Sequence, residues 1–274
     1  MTRTRIWTLC ACVAALIASV MAVTNATAGG SGPGSSPTIT RDGPLNEFVL
    51  GNRNKVQWTA TDDVGIISRD TLALQKYWND PSQLDPFLAG DPEIDEQTYL
   101  IGSGWTQCVS PRVQDQTQAE EDKGTSLPAS EIPCFAGPVD DTDLVASPGD
   151  WTRNVARGHY LNTFSMTRKQ GATLELQDAF FSHLAVVVTK CPGCGTIRVF
   201  SETNSNLKTF SLDAPQVKKA QVVKIPVSLD PTRTQRAGSL GEEPTPNTVT
   251  IKVTSNDKPV KIEGVGVIDR NFRT

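Results

Sequence analysis

The cysteines are the residues whose spacing most directly suggests chemistry. Cys191 and Cys194 enclose Pro-Gly, a Cys-x-x-Cys spacing that redox enzymes place at a helix N-terminus, where the thiol pKa is lowered. Here the motif lies between two strand-like segments, and Pro-Gly favours the centre of a tight turn. We therefore expect a disulfide that clamps a hairpin, with thiol redox catalysis as the less favoured alternative.

Two further cysteines, Cys108 and Cys134, belong to the first half of the chain. Four cysteines allow three pairings, and we prefer Cys108–Cys134 with Cys191–Cys194 because each bridge then stays within one part of the sequence. A structural zinc site would need a second Cys-x-x-Cys pair, which Cys108 and Cys134 do not supply. The cysteines thus predict two structural disulfides and no metal.

The two histidines, His159 and His183, have no neighbouring ligand or catalytic motif in the sequence, so we expect structural roles for them. The chain has no nucleophile elbow, zinc-protease motif, P-loop or dinucleotide-binding glycines. No catalytic residue and no cofactor is therefore predicted. A hydrolase built on two carboxylates stays an alternative, because the sequence does not reveal their separation.

Residues 79–98 contain six acidic side chains and no basic one. We interpret this stretch as a long solvated loop. Its part 91–96 has carboxylates at alternate positions, as calcium loops do, but Glu96 stands where an EF-hand loop has glycine. Calcium binding is the less favoured alternative.

The aromatic residues are the best candidates for contact with a sugar ring. Trp58, Trp78 and Trp105 are expected in the core of the first domain. Four others could stack on a ligand: Trp151, Tyr160, Phe180 and Phe181. Phe180 and Phe181 are neighbours, so in an extended chain they point to opposite faces. Burial in a core or hinge is the favoured alternative for all four.

Composition and charge exclude two classes of protein. The 274 residues carry a formal charge of −4, which argues against a nucleic-acid binder. The mean hydropathy of −0.27 excludes a polytopic membrane protein. Removal of a predicted N-terminal signal segment, which contains Arg3 and Arg5, takes the charge to −6 and weakens the case for an anionic partner.

That signal segment is residues 1–28. A short basic start precedes the apolar run 6–23, and Ala26-Thr27-Ala28 is a small-x-small cleavage site. A retained membrane anchor is the alternative, since the apolar run is close to spanning length. Cleavage predicts a secreted or extracellular protein with no membrane span, and association with the cell surface is the alternative to release. Residues 29–37, rich in Gly, Ser and Pro, would be a flexible leader.

Hydrophobic periodicity predicts an all-β protein with two β-sandwich domains, 38–143 and 144–270. In the first domain, 55–61 alternates with Val56, Trp58 and Ala60 on one face, and further strand signals cover 66–78 (with a break near Arg69 and Asp70), the region of Tyr99, and 107–113. The second domain has eight strand signals: 159–167, 172–177, 183–189, 196–200, 207–212, 221–227, 248–254 and 260–268. A change of phase across Gly264 predicts a β-bulge.

The second domain resembles a galactose-binding-like jelly-roll module found at the C-terminus of secreted bacterial proteins. The matching runs are WTR (151–153), GATLEL (171–176), LAVVVTKCPGCGTIRV (184–199), VVKIP (222–226) and VTIKVTSNDKPVKIEGVGV (249–267). Two features depart from that pattern: residues 201–206 replace the Asp-Gly turn that many of these modules have, and the insertion 230–247 is longer than usual.

The first domain is similar to the fibronectin type III or Ig-like domain that precedes this module. The matching pieces are VQWTATDDVGI (56–66), CVSPRVQD (108–115), and Cys134 ahead of PVDD (138–141). The resemblance is specific for architecture and weak for function, because such modules serve adhesion, spacing and sugar binding alike.

Together these observations predict a secreted, non-catalytic protein that binds a glycan or another component of the cell envelope, such as a polysaccharide. A purely structural spacer without a ligand is the first alternative. An enzyme, through thiol redox chemistry at Cys191 and Cys194 or through carboxylate hydrolysis, is the second. The oligomeric state and the identity of the ligand stay open.

Overall fold

The structure is a computed structural model that describes residues 36–63, 65–80, 96–115, 125–227 and 246–270, with the backbone of 27–28 and 84–88. Residues 1–26 of the predicted signal segment 1–28, residues 29–35 of the predicted leader 29–37, and residues 81–83 and 89–95 of the acidic stretch 79–98 lie outside the described residues. The described part consists of β-strands with two single turns of 3-10 helix, at Asp141–Asp143 and Tyr160–Asn162. It contains no helix long and apolar enough to cross a membrane.

The first ten strands form two sheets. In chain order they are β1 Thr27–Ala28, β2 Thr38–Asp42, β3 Asn46–Phe48, β4 Arg53–Thr61, β5 Ile66–Tyr77, β6 Leu84–Leu88, β7 Glu96–Leu100, β8 Trp105–Asp115, β9 Thr125–Ser126 and β10 Cys134–Ala136. One sheet has the order β1-β2-β4-β7. The other has the order β3-β10-β8-β5-β6, with β9 paired to β8.

Apolar side chains between these sheets form the core of what we call the first sandwich. The predicted alternation in β4 is confirmed, because Val56, Trp58 and Ala60 are buried while their neighbours face outward. Two other predictions are wrong. Strand β5 pairs with β8 without interruption through Arg69 and Asp70, and the register shift in that pairing lies between Ile66 and Ser68. The acidic stretch 79–98, predicted as a loop, contains β6 and the start of β7.

Eleven further strands form the second sandwich. They are β11 Val139–Asp140, β12 Val145–Ala146, β13 Thr152–Val155, β14 Thr163–Thr167, β15 Thr173–Ala179, β16 His183–Lys190, β17 Thr196–Ser201, β18 Asn204–Ser211, β19 Lys218–Ile225, β20 Asn247–Val253 and β21 Val260–Ile268. The sheet orders are β13-β14-β21-β16-β19, with β11 paired to β21, and β12-β15-β20-β17-β18. The predicted domain limits stay a prediction; the chain passes to the second pair of sheets between Ala136 and Val139.

The second sandwich has jelly-roll connectivity. The eight predicted strands correspond to β14 to β21. Each connection between them crosses from one sheet to the other except the β17–β18 hairpin, so that β14, β21, β16 and β19 face β15, β20, β17 and β18. The first of them begins later than predicted, because Tyr160–Asn162 is a helical turn. The fold class is thus an all-β sandwich, whereas the fibronectin type III or Ig-like identity of the first domain stays a prediction.

Both predicted disulfides are present, but one has a different structural role. Cys108 and Cys134 lie directly opposite each other on the neighbouring strands β8 and β10. The Cys191–Cys194 bridge was expected to clamp a hairpin, which is wrong. Strand β16 pairs with β19 and β21, while β17 pairs with β18 and β20, so this bridge closes the turn that carries the chain from one sheet to the other.

The predicted bulge near Gly264 is confirmed. Val187 pairs with Gly264 and Val188 with Ile262, so Glu263 is the extra residue of β21. The Glu263 side chain is fully buried. It therefore has to be satisfied by neighbouring donors, which are described below.

The two sandwiches meet in an interface that we call the seam. Lys76 of β5 and Asp269, directly after β21, form a buried ion pair at 3.0 Å. The Thr106 hydroxyl donates to the Val267 carbonyl, and Phe48 packs where a side chain at Gly266 would clash. An apolar cluster joins the Cys108–Cys134 bridge to Ala185 and Ile268. Burial of these groups fixes the two sandwiches against each other.

Candidate functional site

The four residues proposed to stack on a sugar do not form one exposed face. Tyr160 is 5% exposed and Phe180 is 8% exposed, so their rings are not available to a ligand and the stacking hypothesis is wrong for both. Trp151 and Phe181 are half-buried and pack against the core of the second sandwich. The alternative, packing in a core or hinge, accounts for these side chains better.

Tyr160 is held in place by two contacts. Its hydroxyl donates to the Pro138 carbonyl at 2.8 Å, and its backbone N–H donates to Glu263 at 2.7 Å. Burial raises the pKa of the Tyr160 phenol to about 12. This side chain is therefore a neutral structural anchor at any physiological pH.

A different aromatic group is partly open to solvent at the seam. Tyr77, Trp78 and Trp105 are all half-buried, and we call them the seam cluster. The Tyr77 ring centroid lies 5.2 Å from that of Trp105 and 6.0 Å from that of Trp78, with tilted planes. These separations are within the range at which aromatic rings attract each other. The rings thus form a continuous apolar surface at the junction of the two sandwiches.

The turn 101–105 positions the seam cluster. Trp78 N–H donates to the Gly104 carbonyl at 2.9 Å, which ties the end of β5 to the turn before β8. Gly104 has φ +77°, and a Cβ there would lie 2.4 Å from the Trp78 ring. Only glycine allows both the backbone conformation and the close approach of the indole. The Ser103 hydroxyl closes the turn by donating to the Pro138 carbonyl.

The seam cluster was missed because the sequence assigned Trp78 and Trp105 to the core of the first domain. Trp58 is buried there as expected. Trp105 packs against that core only in part, and Trp78 packs against the core of the second sandwich. The Trp78 carbonyl also accepts from Phe180 N–H at 3.0 Å. The Gly-Ser-Gly turn ahead of Trp105 was the available signal, since it permits close approach to a ring.

His159 belongs to a buried polar group rather than to an accessible site. Its Nδ1 lies 3.2 Å from Glu263 Oε1 and 3.2 Å from the Thr189 hydroxyl, and its ring stacks on Phe164 at 4.3 Å. The Thr189 hydroxyl donates to Glu263 at 2.5 Å. A hydroxyl, an imidazole and a carboxylate are thus together, but all three side chains are buried away from any substrate. Their hydrogen bonds satisfy one another's buried polar atoms, which is a structural role.

His183 lies at the seam. Its Nε2 is 3.1 Å from the Asn46 side-chain nitrogen, and its Nδ1 is 3.1 Å from the Ser182 hydroxyl. Burial lowers the pKa of the His183 imidazole, and the positive charges of Arg270 and Lys224 lower it further. The neutral imidazole is therefore favoured in the folded protein.

Asp141 is the buried carboxylate that comes closest to the hydrolase alternative. It accepts from the Ser165 hydroxyl at 2.5 Å and from Arg153 at 3.2 Å. Burial raises the pKa of Asp141 above its ordinary value, while Ser165 opposes that shift. Its neighbour Asp140 accepts instead from Thr142 and Thr163. Both carboxyl groups therefore accept hydrogen bonds from groups of the fold itself.

The metal hypotheses have little in the described residues to support them. The possible calcium loop 91–96 lies almost wholly outside the described part of the chain. Among the side chains that the structure does describe, no group of three or more His, Cys, Asp or Glu could hold a metal ion.

No family profile matches the sequence, and no curated protein matches it. Among solved structures, the chain is similar to the carbohydrate-binding module CsCBM6-3 from Clostridium stercorarium in complex with cellobiose (8% identity, 48% of this chain and 93% of that chain, TM-score 0.33). It is also similar to an α-L-rhamnosidase from Dictyoglumus thermophilum (11%, 85% and 29%, TM-score 0.31). A third is an exo-β-1,3-galactanase from Phanerochaete chrysosporium with galactose (8%, 88% and 67%, TM-score 0.33). These likenesses concern the all-β fold alone, and the chain spans less than a third of the rhamnosidase.

Proposed function

We propose that the protein is an exported, non-catalytic glycan-binding protein whose seam cluster stacks on a sugar ring of an envelope or extracellular polysaccharide. The observation that carries this proposal is the meeting of Tyr77, Trp78 and Trp105 as half-buried rings at one place. One face of a sugar ring presents C–H groups, which gain dispersion and hydrophobic free energy against an aromatic face. Partly exposed rings can supply that contact.

The backbone supports binding because it fixes the rings before a ligand arrives. The turn at Gly104 and the pairing of β5 with β8 hold Tyr77 opposite Trp105 in register. A preorganised surface loses little conformational entropy on binding. Export is supported by the N-terminal sequence pattern and by two disulfides, which persist in oxidising compartments.

A spacer without a ligand is the second candidate, and the seam itself favours it. The buried Lys76–Asp269 pair and the apolar cluster around Ile268 fix one sandwich on the other, as a rigid spacer requires. The two candidates differ in one measurable respect, which is retention on a polysaccharide.

The experiment compares Trp105→Ala with Trp151→Ala in pull-downs on a panel of insoluble polysaccharides and purified cell-wall material. Both tryptophans are half-buried and pack at the margin of a core, so we expect the two substitutions to remove similar packing. We expect Trp105→Ala to weaken binding by about tenfold or more, as loss of an interface aromatic does. Trp151→Ala should bind like the parent.

Two results would overturn the proposal. Failure of the parent protein to bind any polysaccharide in the panel would favour the spacer. Equal losses in the two tryptophan variants would place the binding surface elsewhere. Thermal unfolding of each variant shows whether a loss of binding follows from a loss of fold.

A further inference from the structure

The charge of the whole chain conceals two opposite halves. Residues 38–143 contain 19 acidic and 7 basic side chains, whereas residues 144–274 contain 11 acidic and 17 basic ones. The second sandwich is therefore cationic although the protein is acidic. The expectation that net charge weakens the case for an anionic partner does not apply to this half.

Exposed apolar side chains occur on two segments of the second sandwich that contact each other through Lys219. Val155 is 84% exposed, Leu161 is 52% exposed and Val217 is 60% exposed, and these are three of the five most exposed large apolar residues in the described part of the chain. Val155 and Leu161 flank the connection between β13 and β14, and Val217 precedes β19. We call residues 155–162 and 217–220 together the tip.

The two segments of the tip are in direct contact. Lys219 Nζ donates to the Arg157 carbonyl at 2.7 Å, and the Lys219 chain passes 3.5 Å from the position of a Cβ at Gly158. Arg157, Lys218 and Lys219 are exposed and surround the apolar side chains with positive charge. Lys190 pairs with Lys218 across β16 and β19 and extends this charge.

The backbone of the tip is held in an unusual conformation. Leu161, Asn162 and Ala220 have φ of 48°, 63° and 49°, and they are three of the five non-glycine residues with positive φ in the described chain. Such residues cluster at sites where a ligand is clamped, because surrounding contacts must hold them there. The left-handed turn directs Tyr160 into the fold while Leu161 stays outside.

Glu263 is the contact that holds both segments. From the bulge of β21, its Oε2 accepts from Tyr160 N–H at 2.7 Å and its Oε1 accepts from Ala220 N–H at 3.0 Å. One buried carboxylate thus fixes the two backbones that present Leu161 and Lys219. Because Glu263 is fully buried, its charge faces these donors and not the solvent.

We propose that the tip docks on the surface of an anionic phospholipid bilayer. Apolar side chains that project from a ring of Lys and Arg are suited to this surface, since the former enter the headgroup region and the latter attract acidic lipids. Asp140 is buried and accepts from Thr142 and Thr163, whereas the exposed Asp213 keeps its charge but is outnumbered by the exposed cations Arg157, Lys218 and Lys219. The tip shares no residue with the seam cluster, so the proposal does not depend on glycan binding by those rings.

The experiment measures cosedimentation with vesicles of phosphatidylcholine alone and of phosphatidylcholine with phosphatidylglycerol. The test variant is Arg157→Glu with Lys218→Glu, and the matched control is Lys252→Glu with Lys258→Glu, which changes the net charge equally at exposed positions outside the tip. All proteins carry the same N-terminus, so any effect of residues 6–23 is common to them. We expect binding to acidic vesicles only, with at least a roughly fivefold loss per tip substitution.

A second variant, Leu161→Asn, removes the apolar side chain without unfolding the turn, because asparagine tolerates positive φ. We expect it to weaken vesicle binding several-fold while thermal stability is kept or raised. Equal losses in the tip and control variants would overturn the proposal, as would undiminished binding by the tip variant. Binding to an acidic polysaccharide but not to acidic vesicles would overturn the assignment to lipid.

Discussion

The two sandwiches solve the problem of buried polar groups in different ways. The first sandwich compensates its buried lysine at its boundary, where Lys76 meets Asp269 of the other sandwich. The second buries Glu263 and Asp141 within itself and uses them to hold backbone N–H groups, hydroxyls and an arginine. Lys76 therefore depends on the other sandwich for compensation, whereas Glu263 accepts its hydrogen bonds from groups of its own sandwich. This difference predicts an unequal response when each is perturbed.

The largest effect is expected when the seam ion pair is broken. Lys76→Met leaves Asp269 buried without its cation, and loss of one partner of a buried pair costs about 3–5 kcal/mol. We expect the free energy of unfolding to fall by that amount in chemical denaturation followed by tryptophan fluorescence. The exposed Lys55→Met on β4 is the control and should change it by less than about 0.5 kcal/mol.

A loss in Lys76→Met no larger than in the control would show that the seam contributes little to stability. Separate transitions for the two sandwiches in the parent protein would contradict the dependence of the first on the second.

The two disulfides should also contribute unequally to stability, with the larger contribution from the bridge in the first sandwich. The Cys108–Cys134 bridge closes a loop with a sequence separation of 26, and Cys191–Cys194 closes one of 3. Loop-closure entropy then predicts that replacing both cysteines by serine costs about 3–4 kcal/mol for the first bridge and about 2 kcal/mol for the second. Thermal unfolding of the two double variants measures the ranking. A larger loss of stability on replacing Cys191 and Cys194 would contradict the prediction from loop-closure entropy.

The smallest predicted effect is a change in the pH dependence of stability, and it arises from His183 at the seam. The pKa of His183 is below its ordinary value of 6.5, so the folded protein binds this proton less readily than the unfolded chain. Its contribution to stability is complete above pH 6.5 and is lost as the pH falls from there through the lowered pKa. We expect His183→Gln to flatten this part of the stability profile between pH 7 and 5. An unchanged slope in that variant would assign the dependence to other groups.

The sequence predicted local features well where one strand carries its own signal. The alternation of Val56, Trp58 and Ala60 and the phase change at Gly264 both appear in the structure as expected. Hydrophobic periodicity distinguishes the buried face of a strand from the exposed face, and here it assigned both faces correctly. The uninterrupted β5 was missed because Arg69 and Asp70 look like a turn, whereas pairing with β8 holds them extended.

Long-range partners could not be predicted from local patterns. Nothing near Glu263 in the sequence indicates that Tyr160 and Ala220 donate to it from about 100 and 43 residues away. The same limit applies to Trp78, whose position in the first half of the sequence hides its packing on the second core. The unequal charges of the halves were readable from the sequence, but a single net charge concealed them.

Because the chain is synthesised from its N-terminus, the contacts of the seam can form only after β21 has been made. Phe48, Lys76 and Thr106 are synthesised early, yet their partners Gly266, Val267 and Asp269 belong to β21 or follow it directly. A nascent first sandwich therefore carries Lys76 without its Asp269 partner until β21 and the residue after it have been made. Contacts between such distant positions form slowly, because a long loop must close first. The last strand thus completes both sandwiches at once, and a chain that stops before Val260 would leave both unfinished.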